Sequence, residues 1–430
     1  MRKGSLIIGL LITWCGAADA LAQAPTTLTL KQAETLALTN HPQIKSAAFT
    51  ALAARAAVVQ VRSVYYPQVQ GATTGVEATT GARITAGLLN NPSIFARYAD
   101  GAIVNQFITD FGHTGDLVQT SILRATAQDQ NTVASRATVL VVVDEAYFGA
   151  LKAQSVLAVA HQTVDLRQSV ADQVSALEKS GYKSGLDLSF AEVDLSQAKL
   201  LLLQAQSDAD AAFALLNAAM GLGTDQMYTL VEEPPPPALP SSAEEMVSEA
   251  LRDRPDLLSS RLNRDADFKY VEAEKKLWYP TVSTVGVAGV TPFHVSQITS
   301  DYYVAAGFNV TIPIFNGHLF SAERAEAEYN ALASDQNVKN QENLISRDVR
   351  VAWLTANTAY QALSVTAQLL ANATEAMTLA RARYDLGLSS IVELSQAQLN
   401  LTQAQIANAS AKYDYQIRRS ELSYQIGSLH

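Results

Sequence analysis

Two tracts of this chain mix small apolar and polar residues at helical spacing with almost nothing to interrupt them. Between Gly317 and Gly387 there is neither glycine nor proline, and between Asp116 and Ser180 Gly149 is the only one. Both tracts are rich in Ala, Leu, Gln, Glu and Arg, which favour helix, and all 13 prolines lie outside 93–233 and 314–430. Roughly 65–70 residues at about 1.5 Å each would reach about 100 Å. Ordinary globular helices do not run so far, so coiled coils or helical tubes are indicated. A second helix, near 187–220 and 393–426, returns from the end of each tract. Elsewhere the pattern turns from helical to alternating. Pro67–Arg83 and Gly101–Asp110 in the first half, with Pro280–Val290 and Tyr302–Phe315 in the second, read as strands. Loops containing Asn90-Asn-Pro92 and Thr291-Pro292 pair them into two hairpins. Shorter helices, about 44–63 and 257–277, stop at Tyr66-Pro67 and Tyr279-Pro280, because a residue before proline is pushed out of helical space.

The two halves are copies. Gly181-Tyr-Lys-Ser-Gly-Leu-Asp187 answers Gly387-Leu-Ser-Ser-Ile-Val-Glu393 at an offset of 206, and Ala146-Tyr-Phe148 answers Ala352-Trp-Leu354 at the same spacing. Nearer the start of each half the offset is 213, as between Pro42 and Pro255, so the second copy is seven residues shorter around its hairpin. Surface loops tolerate such deletions. Each glycine-led motif reads as a turn that folds one long helix back on another. Glu232-Glu-Pro-Pro-Pro-Pro-Ala-Leu-Pro240 joins the copies as a stiff linker. Ser242 and Glu245 after it have the spacing of a helix capping box.

Composition narrows the setting. Arg2 and Lys3, the apolar run Leu6–Trp14 and the small-residue site Ala20-Leu-Ala22 form a secretory signal peptide over residues 1–22. The only cysteine, Cys15, lies inside it behind Thr13-Trp14, the wrong residues for lipidation, and is expected to leave with the signal. Loss of Arg2, Lys3 and Asp19 takes the net charge from −10 to about −11, so an electrostatic grip on nucleic acid is not expected. After the signal no run of eighteen apolar residues follows, so any membrane entry must be by β-strands. Two hairpins give four strands, whereas single-chain barrels begin at eight. Several copies would have to share one barrel, and three would supply twelve strands. Tyr65, Tyr66, Trp278, Tyr279, Tyr302, Tyr303 and Phe315 cluster at the strand ends. They suit either a membrane–water boundary or the packing of sheet against helices.

The internal repeat, inserted hairpins, paired long helices and Gly-x₅-Asp/Glu turns together resemble the TolC family of outer-membrane efflux proteins. The likeness is strongest in Tyr384-Asp-Leu-Gly-Leu-Ser-Ser-Ile-Val-Glu393 and in Tyr413-Asp-Tyr-Gln-Ile-Arg-Arg-Ser-Glu-Leu-Ser-Tyr-Gln-Ile-Gly427. It implies a mainly α fold with membrane β: duplicated helical hairpins forming a trimeric periplasmic α-barrel, below a shared twelve-stranded outer-membrane β-barrel. On that pattern residues 23–66 and 224–280 would form equatorial segments, 67–110 and 281–316 the barrel hairpins, and 111–223 and 317–430 the tunnel hairpins. Implied partners are two further copies, outer-membrane lipid, a periplasmic membrane-fusion adaptor and, through it, an inner-membrane transporter of RND, ABC or MFS type. The protein would be the exit duct of a tripartite efflux pump or type I secretion system.

The resemblance also assigns sites. Glu393 matches an acidic ring at the periplasmic constriction. Asp187 and Tyr384 match residues that tie neighbouring helices shut. A second ring acid is replaced by Gln396, and a locking arginine by Ser389. Ser180, Gly181 and Tyr182, with Leu386, Gly387 and Leu388, match the tips that adaptors grip. From the residues alone, a second reading of Asp187 and Glu393 stays open, in which they simply favour the positive ends of the returning helices. No enzyme chemistry emerges. His41, His113, His161, His294, His318 and His430 have no metal-ligand spacing, Ser180-x-x-Lys183 lacks the companion motifs of acyl enzymes, and no cofactor is implied. A periplasmic coiled-coil adaptor or scaffold is the rival reading, but it calls for one hairpin flanked by β-domains, not a duplicated one with strands inserted midway.

Overall fold

A computed structural model describes residues 26–79, 82, 94–223, 226–234, 239–240 and 242–429. β1 (Thr26–Leu28) leads into α1 (Leu30–Asn40) and α2 (Pro42–Arg62), then β2 (Gln68–Val76) and β3 (Arg97–Thr109), then the long α3 (His113–Lys179) and its return α4 (Gly185–Ala219). β4 (Tyr228–Leu230) opens the second half, which continues as α5 (Glu244–Asp253), α6 (Pro255–Lys275), β5 (Thr281–His294), β6 (Tyr302–Thr311), α7 (Leu319–Asp385) and α8 (Ile391–Ile426). α3 and α7 are each 67 residues long, about 100 Å of unbroken helix. Among the described residues the fold is mainly α with one antiparallel sheet, as the pattern of glycine, proline and alternation indicates.

That sheet runs β2-β3-β5-β6. Its outer strands, β2 and β6, each have one edge without a partner among the described residues. The register makes one face more apolar than the other. Val69, Val104, Ala288, Val304, Phe308 and Val310 share one face, whereas Gln68, Gln70, Asn105, Ser283, Asn309 and Thr311 share the other. The sorting is partial: Thr73, Asp100 and Gln106 also stand on the first face, and Ile103, Phe107, Val285 and Val287 on the second.

Beneath the sheet the long helices lie side by side in the order α4, α3, α8, α7, with α2 and α6 flanking α3 and α6 also touching α7. α2 is long and apolar enough by composition to cross a membrane, with mean hydropathy 1.3 over its best window. It packs along α3 instead, held by Arg55–Asp129 at 3.0 Å and by Thr132 Oγ1 donating to Ala47 O.

The duplication extends to backbone geometry. His41 and Arg254, each before a proline, are extended and bend α1 into α2 and α5 into α6. Gly221 presses on the first bend, where a Cβ would lie 2.8 Å from His41 Cα, and Gly427 presses on Arg254 in the second. The strand-to-helix junctions are also copies, each with two successive left-handed residues: Phe111 and Gly112 (φ 59° and 101°), then Gly317 and His318 (64° and 71°). The glycine has changed places between copies, so each junction keeps one strained side chain. Halfway along, Tyr147 is fully buried with its hydroxyl 2.9 Å from Leu28 O and 2.7 Å from Val231 O, clasping the short parallel pair β1–β4. Its counterpart Trp353 donates from Nε1 to Pro240 O at 3.1 Å.

Four expectations are corrected. Thr291-Pro292 lies inside β5, not in a loop; the turn falls at 295–301. Proline is tolerated there because β6 pairing ends at Val290 and the β3 register bulges at the same place, so no ladder hydrogen bond is asked of it. β6 stops at Thr311 instead of Phe315, since Pro313 has no N–H to continue. The Ser242–Glu245 capping box does not form: Ala243 is the cap, and Ser242 Oγ accepts from Glu244 N. The first strand, expected to reach Arg83, ends at Val76, with 77–79 and 82 outside any strand. Residues 1–22 with Cys15, Arg83 itself, the loop at Asn90–Pro92 and most of the proline run lie outside the described residues.

Near Tyr147, Asp144 of α3 is buried beside Glu34 of α1 and Ser420 of α8. Burial pushes its carboxyl up to about 7; Glu34 and Glu145 add to the shift, while the Ser420 hydroxyl opposes it. Glu34 is also raised, chiefly by burial. From the ordinary carboxylate range near 4 up to about 7, the folded chain holds a proton that the unfolded chain releases. Stability should therefore fall as pH rises through that window and level off above it. Thermal melts in detergent should show a Tm several degrees higher near pH 4.5 than near pH 7.5, and Asp144→Asn should remove most of the difference.

Candidate functional site

Farthest from the sheet, each long helix reverses through the same device. Gly181 and Gly387 take φ of 75° and 73°. The next residue donates back into the helix, Tyr182 N to Leu177 O at 2.9 Å and Leu388 N to Arg383 O at 2.8 Å. Nothing lies within 4 Å of where a Cβ on either glycine would project, so handedness, not space, demands glycine. The tips are apolar and open to solvent. Tyr182 is 80% exposed, Leu386 74% and Leu388 67%, while Ser180 spends its hydroxyl on Ala176 O.

The matching acids do different things. In the first tip Ser184 caps α4, and Asp187 Oδ2 accepts from both Ser184 N (3.0 Å) and Ser184 Oγ (2.8 Å), a closed capping box. Those bonds hold the Asp187 carboxyl below its usual range, with a smaller contribution from Lys183. In the second tip Ser390 caps α8 through Glu393 N. The Glu393 side chain, however, crosses the turn to Arg383 Nε of α7, 3.2 Å away. The position matching Arg383 in the first copy is Leu177, so Asp187 has no such cation to reach. Arg383 was not singled out from sequence, because an arginine in a long polar helix face carries no signal of its own. Gln396 turns along α8 to Asn400, and Ser389 Oγ is shielded from water without a partner.

Tyr384 sits at the meeting of the hairpins. It is 3% exposed, packed with Val174, Leu195, Ile391 and Leu394. Its hydroxyl has no hydrogen-bond partner, and burial raises its pKa, helped by Asp187 and Asp385. Lys183 from the other tip stands 4.2 Å above its ring, a cation–π contact between hairpins. Gln173 Nε2 also reaches Asp385 Oδ1 at 3.4 Å. Lys183 is thus engaged with Tyr384, and Ser180 with its own helix.

The aromatics at the strand ends divide. At the helix end of the sheet, Trp278 packs on Phe320 and Tyr279 on Phe111, edge to face, yet both stay about half exposed; Tyr66 and Phe315 are exposed further. Tyr302 stands on the apolar face at the loop end, 71% exposed. Tyr303 does not join it. It points to the polar face, where its ring covers the paired Gly101 and Gly289, filling the space that two missing side chains leave.

The matched acids predict unequal responses. Asp187→Ala should cost about 1 kcal/mol of helix start and speed hydrogen exchange at residues 185–188 about fivefold. Glu393→Ala should leave exchange at 391–394 nearly unchanged.

Comparison with known proteins bears on the whole chain. The model of the outer membrane efflux protein family matches residues 35–222 and 246–428. The outer membrane protein OprJ of Pseudomonas aeruginosa is 24% identical over 93% of this chain and 84% of its own length. TolC of Salmonella enteritidis is 21% identical over 70% of this chain, and the match spans 64% of TolC. The crystal structure of VceC from Vibrio cholerae superposes with a TM-score of 0.79 at 17% identity, covering 93% of this chain and 96% of that one; it shares the fold.

Proposed function

This chain belongs to the outer membrane efflux protein family, and we propose that it serves as a passive exit duct in which three copies share one twelve-stranded barrel and one helical tube. One observation carries this reading: the subunit is open at matching places on two levels. β2 and β6 are the sheet's free edges, and α4 and α7 are the outer members of the helical layer. On α4, Leu186, Phe190, Val193, Leu200 and Leu203 are exposed in steps of three, four and seven. On α7, Val351, Leu354, Val365, Leu369 and Leu379 are exposed. These are coiled-coil seams without their partners. A head-to-tail rotation that joins β6 to the next copy's β2 also joins α7 to its α4, and such a contact closes as a ring. The apolar sheet face meets lipid, and the polar face lines the lumen.

The duct would be gated at its periplasmic tips. The Arg383–Glu393 pair of each copy lies where the tube converges, and the exposed Tyr182, Leu386 and Leu388 offer a membrane-fusion adaptor an apolar grip. An adaptor would in turn link the duct to an inner-membrane transporter. The tip acids would set ion preference by focusing the potential in a narrow opening. An adaptor or scaffold role is disfavoured by the duplicated hairpins and the two-faced sheet.

Fractionation should place the protein in outer membranes as a heat-modifiable trimer; a soluble monomer would refute the ring. In planar bilayers the two members of the tip pair should act oppositely. Glu393→Ala leaves Arg383 uncompensated and should lower the cation-over-anion permeability ratio about twofold or more, whereas Arg383→Ser should raise it. Because the pair is half exposed, its loss should change stability by no more than about 1 kcal/mol.

A further inference from the structure

Above the tips the two hairpins are joined by a layer that cannot slide without breaking charged hydrogen bonds. Arg167 of α3 is 6% exposed. Its guanidinium donates to Asp194 Oδ2 of α4 at 2.8 Å and to Gln398 Oε1 of α8. Ser395 Oγ of α8 donates to the same Asp194 oxygen at 2.5 Å. Gln398 is 1% exposed, and its amide nitrogen has no partner, so its orientation is set by Arg167 alone. Burial works against the Arg167 charge, and Asp194 supports it.

The layer sets buried charge into an otherwise apolar seam between the hairpins. Tipward, the hairpins meet through Val170, Val174, Met377, Ile391 and Leu394, and the same apolar cluster continues past the layer at Leu195, with Val164 and Leu401 packed against it. Such apolar contacts are non-directional and retain much of their free energy when surfaces shift. A buried cation drawn away from its carboxylate and amide does not. Toward the sheet, Thr163 and Thr402 follow one turn on, their hydroxyls 3.4 Å apart. The layer lies about 12 residues from the end of α3 and about 7 from the start of α8, roughly 10–18 Å along the helices.

We propose that Arg167, held by Asp194, Gln398 and Ser395, is the fulcrum of the tip gate, so that the part of the second hairpin that swings away on opening ends at this layer. Arg167 is then a positioning residue: it touches no cargo but fixes how much of the tube can move. The proposal rests on the gated-channel reading above and adds to it the length of the moving segment.

The test uses the full chain in planar bilayers and engineered cysteine pairs, the native sequence having only Cys15. Lys183→Ala removes the cation–π contact on Tyr384 and should raise single-channel conductance about twofold or more. In that background, Gln173→Cys/Asp385→Cys joined by a short bis-maleimide should restore wild-type conductance, because it ties the hairpins together below the layer. Thr163→Cys/Thr402→Cys, oxidised to a disulfide above the layer, should leave the conductance raised. Arg167→Met should raise it further, and the upper disulfide should then bring it back. If the upper disulfide alone closes the loosened channel as fully as the lower bridge, motion extends past the layer; the fulcrum is wrong, although the gate stands. If Lys183→Ala conducts as wild type and neither bridge alters the current of a conducting channel, the tips are no gate, and both readings fall. The cysteine arms decide the matter even where Arg167→Met does not fold.

Discussion

A strand edge in hydrocarbon has nothing to hydrogen-bond except another strand. That constraint organises this molecule. Its sheet has two uncovered edges, β2 and β6, and a face of Val, Ala and Phe that suits lipid. A two-edged sheet of four strands cannot close on itself within one chain. The helices beneath have the same incompleteness, because α4 and α7 each present an apolar seam to solvent. Each large apolar side chain that becomes buried contributes roughly 1.5–3 kcal/mol, so the two seams favour the same closure that the strand edges require. In the proposed trimer one rotation joins both barrel and tube.

Duplication supplied the parts, and divergence gave them separate tasks. The turn acids show this most directly. Asp187 is consumed by a capping box on Ser184, while Glu393 reaches Arg383. One stabilises a helix start, and the other places a charge pair at the end of a tube. Two differences accompany this: a longer acid, Glu393 for Asp187, and an arginine, Arg383, where the first copy has Leu177. The same divergence appears at the middle, where Tyr147 clasps β1 and β4 while Trp353 holds the linker at Pro240. At the upper junctions the left-handed pair is kept, though its glycine has moved from the second position to the first. Backbone geometry has outlasted the residues that make it easy.

Much of this was legible in the sequence for identifiable reasons. The absence of proline and near-absence of glycine marked both 67-residue helices, and the repeat itself located each turn. Where the reading failed, tertiary context had overridden a local rule. Pro292 sits in a strand because the ladder has a bulge just there. Ser242 does not cap in the expected way because α5 begins at Glu244 and not earlier. Tyr303 looked like its neighbour Tyr302, but alternate strand residues face opposite ways, and a glycine pair two strands deep received its ring. The Arg167 layer was invisible because its members lie on three helices and are separated by 27 and 231 positions. No spacing rule spans such distances.

A duct of this length faces a mechanical problem that its bonding pattern addresses. Helices of about 100 Å joined only by apolar seams would slip past one another, because such seams are weakly directional. The chain places polar clasps at intervals instead. Near the sheet, Asp116 meets Lys269 and Lys276 at 2.9 and 2.6 Å; midway stand the Tyr147 and Trp353 clasps; nearer the tips comes Arg167. Each clasp is bonded across helices that the chain's topology would otherwise leave free to shift. Below Arg167 the last turns combine an apolar interior with surface contacts, Lys183 on Tyr384 and Arg383 with Glu393. A gated conduit needs a stiff wall and one compliant end, and the distribution of buried charge along these helices suits both.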